Sequence, residues 1–244
     1  MNSPALLAAN HMSINRVNQE KIANNIANAN TRGYQADKPL IVEDERNKNF
    51  ADTLSFTRVM EKQRDVSMGE IVNTQSKFDV ALTTPDTYFA VQDNNGKTFF
   101  TRNGQLSLNE QRQLIQAASR FPITDENQGP ISLPEGSTNI EISADGVLSA
   151  DGISIAKIGA FKFANSQNMM KIGNTLMQAS DAPTIAEDAK MQQESLESSN
   201  VNPVIALTQM IELQRQDGQD AYLIKMYKEH SSQQIDDLLI PLKV

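Results

Sequence analysis

The chain has 244 residues, a formal net charge of −8 and no cysteine. Because an acidic surface repels nucleic-acid phosphates and anionic lipid headgroups, neither is an expected partner. The absence of cysteine excludes disulfide bonds and thiolate chemistry. Aromatic residues make up only 5% of the chain, which indicates a modest core or apolar faces shared with partner chains.

The first residues do not resemble a cleavable export signal. The apolar run at residues 5–9 is too short and has no basic residues before it. No stretch of the sequence is long and apolar enough to cross a membrane. We therefore expect no direct membrane insertion, and any export should follow a route that uses no cleavable apolar signal.

An N-terminal helix is predicted over residues 3–30, because a Ser-Pro pair at its start suits a cap and a first helical turn. Leu7, Ile14 and Val17 form a narrow apolar stripe along it. Such a stripe is closer to a coiled-coil seam than to the face of a globular core helix. An isolated helix of this kind is marginally stable in water, so it needs a partner.

Residues 22–34 are rich in asparagine and end the predicted helix. Asparagine amides both donate and accept hydrogen bonds, so they can connect neighbouring helices. A frayed, solvated helix end is the alternative that the residue types allow. Gly33 is predicted to adopt a left-handed conformation and stop the helix.

The middle of the chain changes character twice. Residues 34–76 are rich in charge and predict an extended connector with at most a short hairpin or helical turn. Residues 77–195 show short apolar runs separated by turn residues, which predict a small antiparallel sandwich or an irregular barrel. The dipeptides at 95–96 and 145–146, Asn-Gly and Asp-Gly, predict two hairpins.

Residues 196–244 predict a second long helix, with Asn202 as its cap and Pro203 in its first turn. An apolar stripe follows, and Gly218 interrupts the helix at a cost of about 1 kcal/mol relative to alanine. The expected fold is therefore α+β, with paired coiled-coil-like terminal helices, an extended connector and a central antiparallel β domain. The predicted parts are residues 1–33, 34–76, 77–195 and 196–244.

The sequence contains no constellation typical of an enzyme. The two histidines, His11 and His230, stand alone in the terminal helices, and no metal-binding spacing or phosphate-binding glycine loop occurs. Adjacent acidic residues usually mark solvated faces. We expect no catalytic residue, no metal and no cofactor.

Two segments near the ends of the chain carry a specific pattern, and the first, residues 24–34, reads Asn-Asn-Ile-Ala-Asn-Ala-Asn-Thr-Arg-Gly-Tyr. This segment resembles, at every signature position, the N-terminal signature of the bacterial flagellar rod and hook family of axial proteins. Residues 197–202 read Glu-Ser-Ser-Asn-Val-Asn, which is similar to the family segment that opens its last helix. Residues 78–82 and 101–105 are similar to segments that enter its β domain.

Two positions depart from the family pattern. The glycines that family members carry around Pro85 are absent here. At residues 216–218 the chain has Gln-Asp-Gly, where the family usually has an aromatic residue followed by glutamate. The length and the single β domain are most similar to the proximal-rod members of the family, with a distal-rod or hook-type subunit as the alternative.

The resemblance implies a structural subunit of the flagellar basal-body rod, which crosses the periplasm and transmits torque. Family members stack helically through their terminal helices, so the implied partners are copies of this chain, other rod proteins and the flagellar type III export apparatus. The alternative from another class is a β-domain binding module with a helical hairpin. The residues that we expect at the assembly interface are Leu7, Ile14, Val17, Asn24, Asn25, Ile26, Asn28, Asn30, Thr31, Gly33, Tyr34, Glu197, Asn200, Val201, Asn202, Val204, Leu207, Ile211 and Arg215.

Overall fold

A computed structural model describes residues 4–43, 57–173 and 175–238. Two long helices, α1 (Pro4–Ala27) and α2 (Pro203–Leu238), flank the strands in the sequence. The strands are β1 (Asp37–Glu43), β2 (Thr57–Arg64), β3 (Ile71–Asn73), β4 (Val80–Leu82), β5 (Thr87–Gln92), β6 (Thr98–Thr101), β7 (Leu106–Leu108), β8 (Leu114–Gln116), β9 (Ile140–Ile142), β10 (Val147–Ala150), β11 (Ile153–Lys157), β12 (Ala160–Lys162), β13 (Met170–Ile172), β14 (Leu176–Gln178), β15 (Thr184–Ile185), β16 (Met191–Gln193) and β17 (Ser195–Glu197). The α+β class predicted from the sequence is confirmed.

The largest sheet has six strands in the order β13-β14-β6-β5-β12-β15, and each neighbouring pair in it is antiparallel. Strands β9 to β11 form a separate antiparallel sheet. Both predicted hairpins are present, because Gly96 and Gly146 take positive φ angles of 81° and 82° in the turns that follow β5 and β9. The antiparallel β domain is therefore confirmed.

The six-stranded sheet buries side chains on both faces, as expected when apolar residues fill consecutive positions of a strand. In β5, Tyr88 and Ala90 pack with one apolar cluster, whereas Phe89 and Val91 pack with the other. None of these four side chains is exposed. β5 is thus a central strand whose alternating residues tie the two halves of the core together.

The predicted connector contains more regular structure than the sequence indicated. β1 and β2 pair with each other, and β3 pairs with β17 in an antiparallel ladder. The strands of the hairpin are seven and eight residues long. Charged residues within both strands obscured the two-residue period. Residues 44–56, which join them, lie outside the described part of the chain.

Helix α1 ends earlier than predicted, at Ala27 rather than near residue 30. A turn follows, in which the Thr31 amide donates to the Asn28 carbonyl at 3.0 Å. Gly33 has the predicted left-handed conformation, with φ of 65°, but it lies six residues beyond the helix. Its conformation therefore has another cause than stopping the helix.

Helix α2 begins as predicted. The Asn202 side-chain oxygen accepts hydrogen bonds from the Val204 and Ile205 amides, at 3.0 and 3.2 Å, and Pro203 is the first helical residue. Of residues 203–230, only six are not exposed, and their spacing alternates between four and three positions. That spacing is typical of a coiled-coil seam. We call these six residues the inward stripe: Ala206, Met210, Leu213, Asp217, Asp220 and Ile224.

The apolar stripe predicted for α2 lies on the opposite side of the helix. At 100° per residue, Val204 and Ile211 are about half a turn away from the inward stripe. Their exposed fractions are 71% and 65%, against 6% for Ala206. α2 carries apolar residues on two faces, and the apolar pattern in the sequence identified the exposed one. We call the exposed set the outward stripe: Val204, Leu207, Ile211, Tyr222 and Met226.

The chain divides into two compact units. The helical unit comprises the described residues within Met1–Ile26, Asp37–Gln63 and Asn202–Val244. The β unit comprises Ala27–Ala36 and the described residues within Arg64–Val201. The segment that follows α1 therefore belongs with the strands rather than with the helices.

Candidate functional site

The two segments that carry the family resemblance meet within the β unit. The Gly33 amide donates to the Glu197 carbonyl at 2.9 Å, and the Arg32 guanidinium donates to the Ser198 hydroxyl at 2.8 Å. The Ala36 amide donates to the side chain of Asn200, also at 2.8 Å. We call this region the signature junction; it comprises residues 31–36 and 197–200.

Gly33 is required at this junction by sterics as well as by its φ angle. A Cβ atom on Gly33 would lie 2.5 Å from the backbone nitrogen of Asn103, a distance at which backbone atoms overlap. Any side chain there would push the segment that follows α1 away from the start of the 102–105 loop. The glycine of the N-terminal signature thus permits close packing of two backbone segments.

Glu197 lies in the interior of the β unit, paired with a buried arginine. Its Oε2 accepts from Arg102 Nε at 2.5 Å, and both side chains are almost fully inaccessible. Its Oε1 accepts from the Gly69 amide at 3.0 Å. Burial raises the pKa of the Glu197 carboxyl, whereas the Arg102 guanidinium and the Gly69 amide lower the pKa part of the way back. The pair connects β17 to the centre of the β unit.

Arg102 also bonds the ends of β4 and β5, on either side of the turn that joins these strands. Its Nη1 donates to the Thr87 carbonyl at 2.6 Å, and its Nη2 donates to the Leu82 carbonyl at 3.1 Å. In this turn Asp86 has a positive φ of 54°. An aspartate therefore occupies a left-handed position in the region where the family glycines are missing.

Asn200 connects three pieces of backbone. Besides accepting from Ala36, its amide donates to the carbonyls of Asp65 and Ser67, at 2.8 and 2.9 Å. Its own backbone amide donates to the Tyr34 carbonyl at 3.3 Å. A single side chain thus satisfies polar backbone groups on both sides of the connector hairpin.

Tyr34 is buried, with 2% of its surface exposed, and Lys171 lies over its ring at 4.2 Å from the ammonium nitrogen to the centroid. The Lys171 ammonium also donates to the Gln35 carbonyl at 2.6 Å. A cation over an aromatic face is favourable, and more so where water is partly excluded. The last residue of the N-terminal signature is thereby fixed to β13.

The asparagines at the end of α1 make bonds within the chain. Asn25 and Asp37 bond each other reciprocally in the helical unit, since the Asn25 side chain donates to the Asp37 carbonyl and accepts from its amide, each at 2.9 Å. In the β unit the Thr31 hydroxyl donates to the Asn28 side chain at 3.0 Å. These amides therefore organise the turn after the helix.

Comparison with known proteins gives three family models that match in chain order. "Flagella basal body rod protein" matches residues 7–35, "Flagellar hook protein FlgE/F/G D1 domain" matches 84–150, and "Flagellar basal body rod FlgEFG protein C-terminal" matches 192–216. Residues 197–200 of the signature junction fall within the last of these matches, and residues 31–35 fall within the first.

Curated relatives match over nearly the whole chain. The flagellar basal-body rod protein FlgF of Caulobacter vibrioides is 31% identical over 201 residues, covering 80% of each chain. FlgF of Mesorhizobium japonicum is 30% identical over 222 residues, covering 90% of each chain. This chain belongs to the flagellar basal-body rod protein family. FlgG of Buchnera aphidicola subsp. Baizongia pistaciae is 28% identical over 87% of this chain and 91% of that protein.

Membership of the rod protein family confirms the resemblance read from the two terminal segments, and the FlgF matches agree with the predicted likeness to that member. Rod proteins are structural components of the flagellar basal body, not enzymes. The predicted class of function is therefore confirmed. Among the described residues, no helix is long and apolar enough to cross a membrane.

The structure separates the expected interface residues of this rod protein into two sets. Those at the end of α1 and in the signature junction are mostly buried or half-buried and bonded within the chain. Those along α2 are exposed. The buried or half-buried set is Ile14, Asn25, Ile26, Asn28, Thr31, Gly33, Tyr34, Glu197, Asn200 and Val201. The exposed set is Val17, Asn24, Asn30, Asn202, Val204, Leu207, Ile211 and Arg215. The side chain of Leu7 lies outside the described part.

Sequence reasoning missed two residues on which the arrangement depends. Arg102, the partner of Glu197, lies within the 101–105 segment that resembles the family, so a signal for it existed. Asp217 lies within the 216–218 segment that departs from the family. It accepts hydrogen bonds from α1, at 3.0 Å from Asn15 and 2.7 Å from Gln19. Only that departure could have drawn attention to it.

Proposed function

We propose that this rod subunit polymerises through its terminal helices, and that the outward stripe of α2 contacts neighbouring subunits. The proposal rests on the difference between the two sides of α2, one shielded and the other apolar and exposed. Its inward stripe is shielded within the helical unit, whereas five large apolar side chains on the other side are at least 49% exposed, from Met226 to Val204. Exposed apolar side chains grouped on one side of a helix in this way indicate an interaction site.

The free energy available from covering this stripe is large. Burying an exposed Val, Leu or Ile side chain contributes roughly 1.5–3 kcal/mol. Association also costs translational freedom and side-chain ordering, so only part of the gain remains. Repetition along a polymer offsets this cost, because each subunit contacts several others.

A contact between the outward stripe and a different surface of the next subunit is heterologous. Heterologous contacts that do not close into a ring generate helical filaments. Residues exposed on α1, such as Val17 at 37%, are available for the second surface. We propose that the paired helices, residues 1–33 and 196–244, form the coiled-coil-like inner part of the shaft, with the 34–76 connector and the β domain at 77–195 outside.

The position in the cell and the route of export follow from family membership as further parts of the proposal. The subunit would cross to the periplasm through the flagellar type III export apparatus, as the resemblance implies, and would transmit torque together with other rod proteins. No step of this proposal needs a cofactor, nucleic acid or insertion into a membrane.

The double variant Val204→Glu, Ile211→Glu tests the role of the outward stripe. We expect a folded protein with unchanged denaturant unfolding of the β unit, because both side chains are exposed. We also expect loss of motility and of incorporation into isolated basal bodies, when the variant replaces the native protein in its own bacterium.

A matched control is Ile153→Glu, which changes a side chain that is 72% exposed on β11. It should leave incorporation at the native level. Normal incorporation of the double variant would overturn the assignment of the outward stripe, and would leave membership of the rod family untouched.

A further inference from the structure

The helices α1 and α2 are joined by a polar contact in the inward stripe. Asp217 accepts one amide hydrogen bond on each carboxylate oxygen, from Asn15 Nδ2 at 3.0 Å and from Gln19 Nε2 at 2.7 Å. All three side chains are half-buried. Asn15 and Gln19 are four residues apart, so they lie one above the other on α1 and flank the carboxylate.

The two helices run in opposite directions. The chain passes from the end of α1 through a short turn to Gly33, whose amide bonds Glu197, and α2 begins six residues later at Pro203. The end of α1 and the start of α2 are therefore each six residues along the chain from this hydrogen bond. Asp217 lies four turns into α2 and bonds the middle of α1, as an antiparallel pair requires.

The sequence of α1 contains one pair of amide donors with i, i+4 spacing. Between residues 4 and 27, amide side chains occur at 10, 15, 18, 19, 24 and 25, and only Asn15 and Gln19 are four apart. A slip of one turn in one direction would place Asp217 between His11 and Asn15. A slip in the other direction would place it between Gln19 and Ala23, with one amide lost.

We infer that Asp217 sets the antiparallel register in which α2 pairs with α1, by accepting from the unique i, i+4 amide pair of that helix. The inference concerns the helix pair of a single subunit and does not depend on how subunits polymerise. A polar residue at a seam position fixes the register of a coiled coil at a cost in stability. Among the other seam residues of α2, Ala206 is small and Met210 is flexible, and side chains of these two kinds select a register only weakly.

If Asp217 sets the register, its removal should weaken the preference for one register without lowering the stability of the helix pair. Removal of an ordinary stabilising contact would lower the stability. Replacing Asp217 with leucine removes a desolvated carboxylate and adds apolar contact, so the helix pair should be no less stable. The two amides are half-buried and able to turn towards water. What should be lost is the preference for one register.

Cysteine pairs report the register directly, because the native chain has no cysteine. A cysteine at Leu213, one turn before Asp217, is combined in separate full-length proteins with a cysteine at Asn18, Ile22 or Asn25. A disulfide forms only when the Cβ atoms are about 3.5–4.5 Å apart. In an antiparallel pair with Asp217 between residues 15 and 19, the Ile22 partner is the one opposite residue 213.

With Asp217 present, we expect the Ile22 pair to oxidise in preference to the other two by about tenfold, which corresponds to ~1.4 kcal/mol. In the Asp217→Leu background the three yields should become similar, while the thermal midpoint of the helical signal stays the same or rises. Asp217→Glu, which keeps the two acceptor oxygens, should restore the preference.

Asp220→Leu is the matched control, because Asp220 is the other half-buried acid of the inward stripe. It should leave the preference for Ile22 intact. An unchanged preference for Ile22 in Asp217→Leu, or the same loss of preference in Asp220→Leu, would overturn the inference. A lower thermal midpoint with the preference retained would also overturn it, since Asp217 would then be a stabilising contact only.

Discussion

The two units of this rod protein differ in the side chains that they bury and expose. In the β unit, charged and amide groups such as Arg102, Glu197 and Asn200 make several hydrogen bonds each, and the first two are almost fully buried. In the helical unit, Val204 and Ile211 are large, apolar and exposed. These polar groups of the β unit are thus bonded within one chain, whereas α2 has apolar surface that the chain leaves exposed.

The same difference separates the two signature segments from the outward stripe. The Gly33–Tyr34 end of the first segment and the Glu197–Asn200 part of the second are bonded to each other within one chain. The outward stripe, which begins only after Asn202, has no role in folding that the described contacts show. The two signature segments are therefore a different set of residues from the outward stripe that we propose as the assembly surface.

The largest effect on stability is expected at the buried ion pair. Glu197→Ala leaves the Arg102 guanidinium buried without a carboxylate, a change that typically costs about 3–5 kcal/mol. Denaturant unfolding of the β unit measures the cost. Glu197→Gln should cost less than Glu197→Ala, because the glutamine oxygen can still accept from Arg102 Nε, although the guanidinium loses its counter-charge.

Glu212→Ala is the control for that comparison. Glu212 pairs with Arg215 on the surface of α2, three residues away. Exposed pairs of this kind contribute about 0–1 kcal/mol. Equal losses for Glu197→Ala and Glu212→Ala would contradict the view that the signature junction is held by a buried pair.

The next effect is expected at Gly33. Gly33→Ala adds a Cβ that overlaps the Asn103 backbone and forces an L residue into a left-handed conformation, so a loss of about 2–3 kcal/mol is expected. Gly96→Ala separates the two causes, because Gly96 also has a positive φ but no atom in the described part of the chain lies within 4 Å of the added Cβ. Thermal unfolding of both variants should show the larger loss for Gly33. Equal losses would mean that close packing at Gly33 has no energetic weight.

Hydrogen exchange should distinguish the two units within one experiment. In the isolated monomer, amides of α1 and α2 are expected to exchange at least about 30-fold faster than those of β5 and β6, a difference of ~2 kcal/mol in opening free energy. The reason is that the outward stripe is uncovered, while β5 is buried on both faces. Strong protection across residues 5–30 in a verified monomer would contradict this expectation, and assembled rods should show that protection.

Much of this fold was predictable from local patterns. Turn dipeptides located the β5–β6 and β9–β10 hairpins, and Asn202 with Pro203 located the start of α2. The partners of the signature residues were not predictable, because Arg102 and Glu197 are 95 residues apart and a charged residue in sequence resembles a surface residue. The inward stripe of α2 was missed for a related reason. It contains Asp217 and Asp220, which an apolar pattern passes over.

The smallest effect is expected at Gly218, the residue that interrupts the predicted stripe. It lies seven positions after Ile211, on the outward side of α2, and no described residue has an atom within 4 Å of a Cβ built there. Glycine within an exposed helix costs about 1 kcal/mol relative to alanine. Gly218→Ala should therefore stabilise the helical unit of the monomer by about that amount, measured as a rise in the thermal midpoint of the helical signal.

Incorporation of the same variant into basal bodies tests whether Gly218 allows a neighbouring subunit to pack closely against α2. If a neighbouring subunit packs closely on the outward stripe at Gly218, the added methyl group reduces incorporation although it stabilises the monomer. Ser232→Ala, a change at an exposed position further along α2, is the control and should leave incorporation unchanged. A stabilised variant that incorporates normally would show that neighbouring subunits do not pack closely against Gly218, and would leave the contacts of the outward stripe to its large side chains.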